Sequence, residues 1–188
     1  MLKKFIFVTA ICFGLVCCMQ QNVNAQQENK KEKQEKKVLE RPNPTGASQV
    51  DAYVKKAFDT YDESVNISAA IEFIKVEVKP VPDKGDGVTT EVKISNGKGE
   101  ALSKENALKQ LAELLIRAMK QNDNIKSLGE MKKGATEEVK TLPMMQKPKA
   151  SKALAKGGEA EAYAVGETKT QIDLINQQIA TIKAIKNN

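Results

Sequence analysis

The side chains that most often carry catalysis are scarce in this chain of 188 residues. It contains no histidine, which removes the commonest general base and a frequent metal ligand. Its cysteines, Cys12, Cys17 and Cys18, all lie near the start of the chain. If the chain is cleaved after Ala25, the mature protein has no thiol for catalysis, metal binding or disulfide formation. The composition therefore predicts a protein that is not an enzyme and that uses no metal or other cofactor.

Two short motifs contain the residue types of known sites at spacings that do not suit the chemistry. Residues 95–98 (SNGK) have the S-x-x-K order of some serine acyl-transferring enzymes, which need the serine at a helix start. The Asn-Gly pair predicts a turn there instead. Residues 83–87 (DKGDG) are rich in calcium-ligand types, but Ile94 stands where the loop's last glutamate should be. Both motifs are interpreted as hydrophilic turns.

The densest basic cluster lies in residues 147–156, KPKASKALAK. Its charged members are Lys147, Lys149, Lys152 and Lys156. Lysines interleaved with alanine, serine and proline are typical of segments that bind polyanions through their charge. If the chain is exported, an anionic envelope polymer or a lipid surface is a better candidate for this polyanion than nucleic acid is. A solvated linker without a partner is the simpler interpretation of the same composition.

Net charge and aromatic content argue against a nucleic-acid partner. The formal charge is +6 for the whole chain, and it falls to +4 without the two lysines at the start of the sequence. This mild excess favours solubility and does not by itself indicate nucleic-acid binding. The chain has no tryptophan and few tyrosines or phenylalanines, which disfavours a site that stacks bases or aromatic cofactors.

Residues 1–25 have the pattern of an export signal. A positive start is followed by an apolar run of twelve residues, 5–16, and then by small side chains at Val23 and Ala25. Twelve residues are fewer than the roughly 20 that a helix needs to cross a bilayer. We therefore expect an exported protein, periplasmic or extracellular, whose mature chain begins at Gln26.

A second interpretation of the same segment makes Cys18 the lipidated residue of a bacterial lipoprotein. Leu15 supplies the apolar residue that such signals carry three positions before the cysteine. The position directly before it normally holds a small residue, but here it holds Cys17. Cleavage after Ala25 is therefore favoured, and the alternative would attach the protein to the membrane.

The C-terminal residues 168–186 carry a stripe of isoleucines at helical spacing. The stripe comprises Ile172, Ile175, Ile179 and Ile182. Intervals of three, four and three suit an amphipathic helix, and isoleucine at both seam positions favours coiled coils. Two interpretations stay open: the stripe docks on the protein's own core, or it forms a surface for self-association or for a protein partner in the envelope.

The hydrophobic pattern of the remaining chain divides it into further segments. The predictions are a disordered charged tether (26–46), a helix (48–70), a β-hairpin (72–95), a central helix (103–128), irregular structure (131–167) and the C-terminal helix. Apolar residues cover more than half the circumference of the central helix, so neighbours must cover it on two sides.

Together these segments predict one small α+β domain over residues 47–188, rich in helix and carrying a two-stranded hairpin. An all-α helical bundle is the alternative. The expected function is that of an exported, non-catalytic structural or interaction protein of the bacterial cell envelope that contacts partners through apolar helix faces. Membrane contact would be peripheral, or made through a lipidated Cys18. The alternative function is a periplasmic carrier for a lipid or another apolar ligand.

Overall fold

The structure, a computed structural model, describes residues 38–82 and 88–184, except the side chains of residues 81–90. The predicted export signal and the turn at 83–87 lie outside the described residues. The described part from Val38 onward forms one compact unit. Its elements in chain order are α1 (Ser48–Phe73), β1 (Ile74–Pro82), β2 (Val88–Asn96), α2 (Lys104–Thr141) and α3 (Lys147–Ala184). The predicted fold class, a helix-rich α+β domain with a two-stranded sheet, is confirmed.

The three helices form a bundle in which α1 and α3 run parallel and α2 runs antiparallel to both. Near the end of α2, the Glu138 carboxylate accepts a hydrogen bond from the Val50 amide at the start of α1 (2.9 Å). At the opposite end, Ile71 of α1 is buried with Leu111 of early α2 and Ile182 of late α3. The 38 residues of α2 and of α3 make each helix about 57 Å long. Among the described residues, no helix is long and apolar enough to cross a membrane.

Apolar side chains form two clusters, one toward each end of the bundle. The first cluster comprises Ala47, Val50, Tyr53, Val54, Ala57, Phe58, Tyr61, Leu128, Ala135, Ala150, Ala153 and Ala160. The second cluster comprises Ile67, Ile71, Ile74, Ile94, Ala107, Leu111, Leu114, Ala118, Ile175 and Ile182. Burial of this apolar surface is the main force that holds the three helices together.

A layer of buried polar side chains separates the two clusters. This polar layer comprises Thr60, Ser64, Ser68, Gln121, Thr168 and Gln171, each at most 8% exposed. The Gln121 amide donates to the Thr60 carbonyl (2.8 Å), and the Gln171 amide donates to the Ser64 carbonyl (2.7 Å). Buried polar groups need such partners, because an unpaired one costs about 1–3 kcal/mol.

The hairpin extends α1 and covers the second cluster. Its strands pair antiparallel, with Ile74 opposite Asn96 and Val76 opposite Ile94. Ile74 and Ile94 are buried in the second cluster, whereas Val78, farther along the same face, is 49% exposed. The base of the hairpin therefore packs on the bundle, and its outer part extends beyond the helices.

The prediction of irregular structure over residues 131–167 is wrong, because α2 continues to Thr141 and α3 begins at Lys147. The segment has few large apolar side chains to mark a core face, but alanine is the strongest helix former. Its small residues also let α3 approach α1 closely. A Cβ added to Gly157 would lie only 2.7 Å from the Tyr53 ring.

Two glycines of α3 provide a matched test of this close approach. Gly157→Ala should destabilise the protein by about 1–3 kcal/mol, because the Tyr53 ring is fully buried and cannot move away freely. Gly166 is exposed with open space around it, so Gly166→Ala should stabilise by about 1 kcal/mol through helix propensity. Urea denaturation of both variants measures the two effects. Equal stabilisation by both substitutions would show that α1 and α3 do not meet at Gly157.

Candidate functional site

Residues 38–47, here called the strap, run back along α1 before that helix begins. The Arg41 guanidinium donates to the carboxylates of Asp59 (2.8 Å) and Asp62 (2.9 Å). It also lies 5.6 Å from the centroid of the Phe58 ring, a distance at which a cation and an aromatic face attract each other. Arg41 therefore joins the strap to the middle of α1.

The prediction that the tether cannot pack is wrong for residues 38–46, and residues 26–37 lie outside the described part. Leu39 is partly buried against the first cluster, and its amide donates to the Tyr61 hydroxyl (3.3 Å). The strap has few apolar residues, so composition alone indicates disorder. Contacts with side chains on α1 supply the order instead.

The strap ends in a turn that a single carboxylate holds. Asp51 accepts hydrogen bonds from the Thr45 amide (2.7 Å), the Thr45 hydroxyl (2.8 Å) and the Gly46 amide (2.9 Å). Gly46 has a φ of 88°, a left-handed conformation that lets the chain reverse into α1. Partial burial opposes ionisation of Asp51, but these hydrogen bonds and the charge of Lys149 outweigh it and lower the pKa of the carboxyl.

The strap and the first three turns of α3 border an open cleft of about 580 Å³, here called the basic cleft. Its charged lining residues are Glu40, Arg41, Lys149, Lys152 and Lys156. The Lys149 ammonium donates to the Pro44 carbonyl (2.7 Å), which joins α3 to the strap. The Lys156 ammonium lies 3.8 Å from the Glu159 carboxylate. The lining contains four cations and one carboxylate. Arg41 is already paired with two carboxylates of α1 and Lys156 with Glu159, so Lys149 and Lys152 are the lining cations without an ion pair among the described residues.

The lysines of this cleft oppose the dipole of the helix that carries them. The N-terminus of a helix bears a partial positive charge, so acidic residues are favoured in the first turn. The first turn of α3 has no acidic residue and contains Lys147 and Lys149. Among the described residues, the side-chain ammonium groups of Lys147 and Lys152 have no partner in a hydrogen bond or ion pair. An anion bound in the cleft would relieve this repulsion, since helix N-termini bind anions through their amides and their dipole.

The structure brings together three of the four lysines that the sequence indicates. Lys149, Lys152 and Lys156 line the basic cleft, whereas Lys147 is the first residue of α3 and lies outside its lining. Arg41 completes the cleft. The sequence pattern did not indicate this residue, because Arg41 lies in the segment predicted to be a disordered tether. Two features of the sequence could have indicated a role for Arg41. It is followed closely by Pro42 and Pro44, and the outer face of α1 carries acidic residues that can pair with it.

The isoleucine stripe does not form an exposed surface. Ile175 and Ile182 are fully buried in the second cluster, and Ile172 and Ile179 are partly buried against it. The interpretation of these residues as an interaction surface is therefore wrong, and docking on the protein's own core is what the structure shows. Among the described helical residues, the most exposed large apolar side chains lie on α2, at Ile116 (67% exposed) and Met119 (57%).

The polar groups elsewhere in the bundle are arranged for structure. The buried Tyr53 hydroxyl donates to the Glu161 carboxylate (2.7 Å), which also pairs with the Lys132 ammonium at 2.7 Å. Burial, with the Glu161 hydrogen bond and charge, raises the pKa of Tyr53 far above its ordinary value, so it is not a nucleophile near neutral pH. Ser95 lies in β2, and the chain turns directly after that strand at Gly97 and Lys98, where the Asn96 side chain accepts from the Lys98 amide (2.9 Å). In the described part of the chain, no group of three acidic side chains is placed to hold a metal ion.

Comparison with known proteins gives no match: no family model, no curated protein and no solved structure is similar to this chain.

The Asp51 contacts predict how the strap responds to acid. A carboxyl whose pKa is lowered by folding stabilises the protein above its unfolded pKa, near 3.9, and loses that effect as the pH falls through the folded value. Asp51→Asn should therefore be less stable than the parent at pH 7, and the difference should shrink below about pH 4. Urea denaturation across this pH range measures it. A difference that stays constant with pH would contradict the assignment, and the exposed Asp123→Asn should change stability at pH 7 by less than about 0.5 kcal/mol.

Proposed function

We propose that this chain is an exported, non-catalytic interaction protein of the bacterial cell envelope, whose basic cleft binds an anionic envelope component. The observation that carries the proposal is the placement of Lys149 and Lys152 at the start of α3, against its dipole, in a concave surface completed by Arg41. A protein that needed only a stable helix would carry acidic residues there. Local conflict of this kind is expected at functional sites.

The rigid mounting of the cleft supports the same proposal. Arg41 is held by two carboxylates of α1, and Lys149 is held by the Pro44 carbonyl. These contacts fix the two walls of the cleft relative to each other, which lowers the entropic cost of binding. Lys152 stays exposed and unpaired among the described residues, so it is available to an anion.

A carrier for a lipid or another apolar ligand is less well supported. Such a carrier needs room between its helices, but α1 and α3 are in close contact where Gly157 meets Tyr53 and Val54. The middle of the bundle is filled by the polar layer, whose glutamines bond to backbone carbonyls of α1. An acyl chain entering there would break those hydrogen bonds.

The exposed apolar residues of α2 favour a protein partner as a second candidate contact. Ile116 and Met119 lie one turn apart on a rigid helix, and both are more than half exposed. This surface is small compared with the roughly 1,000 Å² of a stable interface. It would therefore contribute to a larger contact and would not form one alone.

Binding of inorganic polyphosphate, a soluble anionic polymer, tests the basic cleft. The parent should bind it with an affinity that falls as salt increases, since binding releases counterions. The triple variant Lys149→Gln, Lys152→Gln, Lys156→Gln should bind at least about tenfold more weakly, because three phosphate contacts are lost. Isothermal titration calorimetry gives both affinities. A matched triple variant at exposed lysines outside the cleft, Lys109→Gln, Lys120→Gln, Lys183→Gln, has the same charge change and should bind like the parent. Equal losses in both variants would show that net charge is responsible and not the cleft.

The N-terminus of the processed protein tests the proposed export. We expect a mature chain that begins at Gln26 and carries no lipid, because Val23 and Ala25 fit signal-peptidase recognition. Intact-mass analysis of the protein isolated from its host measures this directly. A chain that begins at Cys18 and carries the added mass of acyl groups would show that the protein is attached to the membrane by a lipid. An unprocessed N-terminus would contradict export.

A further inference from the structure

The turn between α2 and α3 combines the two most exposed large apolar side chains of the described residues with a ring of lysines. Met144 is 83% exposed and Met145 is 94% exposed. We propose that this turn, residues 142–146, is a membrane-docking tip that inserts both methionines among the head groups of a bilayer containing anionic phospholipid. The inference deepens the proposed function, since it names a lipid surface as the anionic component that the basic end of the bundle meets.

The tip is a short and well-held turn at the extreme end of the bundle. It has only five residues between two helices that are each about 57 Å long. The Pro143 carbonyl accepts hydrogen bonds from the amides of Gln146 (2.9 Å) and Lys147 (3.2 Å). The backbone is thereby fixed while both methionine side chains extend into solvent. Adjacent exposed methionines on a convex turn contribute nothing to the core and cost solubility.

The lysines around the tip are placed to contact phosphate groups while the methionines enter the apolar region. Lys140 is in the last turn of α2, and Lys147 and Lys149 are in the first turn of α3. Long lysine side chains keep their ammonium groups at the head-group level while apolar neighbours go deeper. Each lysine near an anionic surface adds to the attraction.

The acidic residues near the tip offset only part of this charge. The Glu138 carboxylate is occupied by the amides of Gln49 (2.8 Å) and Val50 at the start of α1. Glu137 pairs with Lys140 at 2.6 Å, which neutralises one lysine of the ring. Lys147 remains unpaired among the described residues, and the basic cleft lies on the adjoining surface of α3.

A bilayer explains the tip better than a folded protein or a soluble polymer does. Two methionines at a convex point cannot form a protein interface of about 1,000 Å² without a matching cavity in the partner. A soluble polyanion would use the lysines and gain nothing from the methionines. Apolar residues beside basic ones are typical of segments that lie in the membrane interface.

The test measures binding of the processed protein to vesicles of phosphatidylcholine, with and without phosphatidylglycerol. We expect binding at least about tenfold tighter to the anionic vesicles. Met144→Ser with Met145→Ser should weaken that binding by about tenfold or more while polyphosphate binding stays unchanged. The control is Ile116→Ser with Met119→Ser, which removes exposed apolar side chains of α2 and should bind vesicles like the parent.

A depth measurement distinguishes insertion from surface attraction. The chain has no tryptophan, so Met145→Trp introduces a single fluorescent reporter at the tip. Its emission should shift to shorter wavelength with anionic vesicles and be quenched by lipids brominated on the acyl chain, whereas Met119→Trp should show neither effect.

Vesicle binding that survives the methionine substitutions, or a reporter that is not quenched, overturns the membrane tip and leaves the basic cleft standing. The double variant Lys152→Gln, Lys156→Gln leaves all three lysines of the tip intact, and loss of its polyphosphate binding without loss of vesicle binding supports the tip. Parent protein that binds vesicles but not polyphosphate overturns the cleft alone.

Discussion

Two buried glutamine amides determine how the three helices align. Gln121 of α2 and Gln171 of α3 both donate to carbonyls of α1, at Thr60 and Ser64. Alanine recurs at buried positions of all three helices, so the fit of Gly157 against Tyr53 and these two hydrogen bonds distinguish the observed alignment from a shift by one turn. Such a shift would leave both amides buried without partners, and this cost selects one register, as buried polar residues do in coiled coils. The polar layer therefore occupies core positions that apolar side chains could fill, and its hydrogen bonds favour a single alignment of the three helices.

That alignment positions the end of the molecule that carries the proposed cleft and tip. With the register fixed, Glu138 at the end of α2 meets the free amides of α1, and Lys149 of α3 meets the Pro44 carbonyl of the strap. Neither contact is local in sequence, since the partners are about 90 to 105 positions apart. The cleft and the tip are consequently built from four separate segments that the register brings together. A change in the polar layer, far from the lysines, would displace them.

The sequence predicts the elements whose pattern involves large side chains and misses those that use small or charged ones. The pattern predicts the hairpin because valine and isoleucine alternate with charged residues. It predicts α1 because the apolar residues of that segment repeat at helical spacing. The second half of α2 and the first half of α3 could not be predicted from the pattern, because their buried residues include Ala135, Ala150 and Ala153, which have no strong hydrophobic signal.

The strap was missed for a different reason. Its order depends on pairs such as Arg41 with Asp59, which are 18 positions apart and do not appear in any local window. The lysines of the site were found from composition alone, but the cleft that groups them was not, because Arg41 comes from the strap.

The path of the strap also determines how the protein would carry mechanical load. Any pull on the chain before residue 38 reaches the domain beside Tyr61, in the middle of α1, and not at the first turn of that helix. The contacts of Leu39 and the two ion pairs of Arg41 would then bear the force together, in shear along the helix surface, while Asp51 holds the reversal at Gly46. Shear loads several bonds at once, whereas tension at a helix end breaks them one after another. For a pull along the axis of α1, the strap would have to be released before the force reached the first turn of that helix.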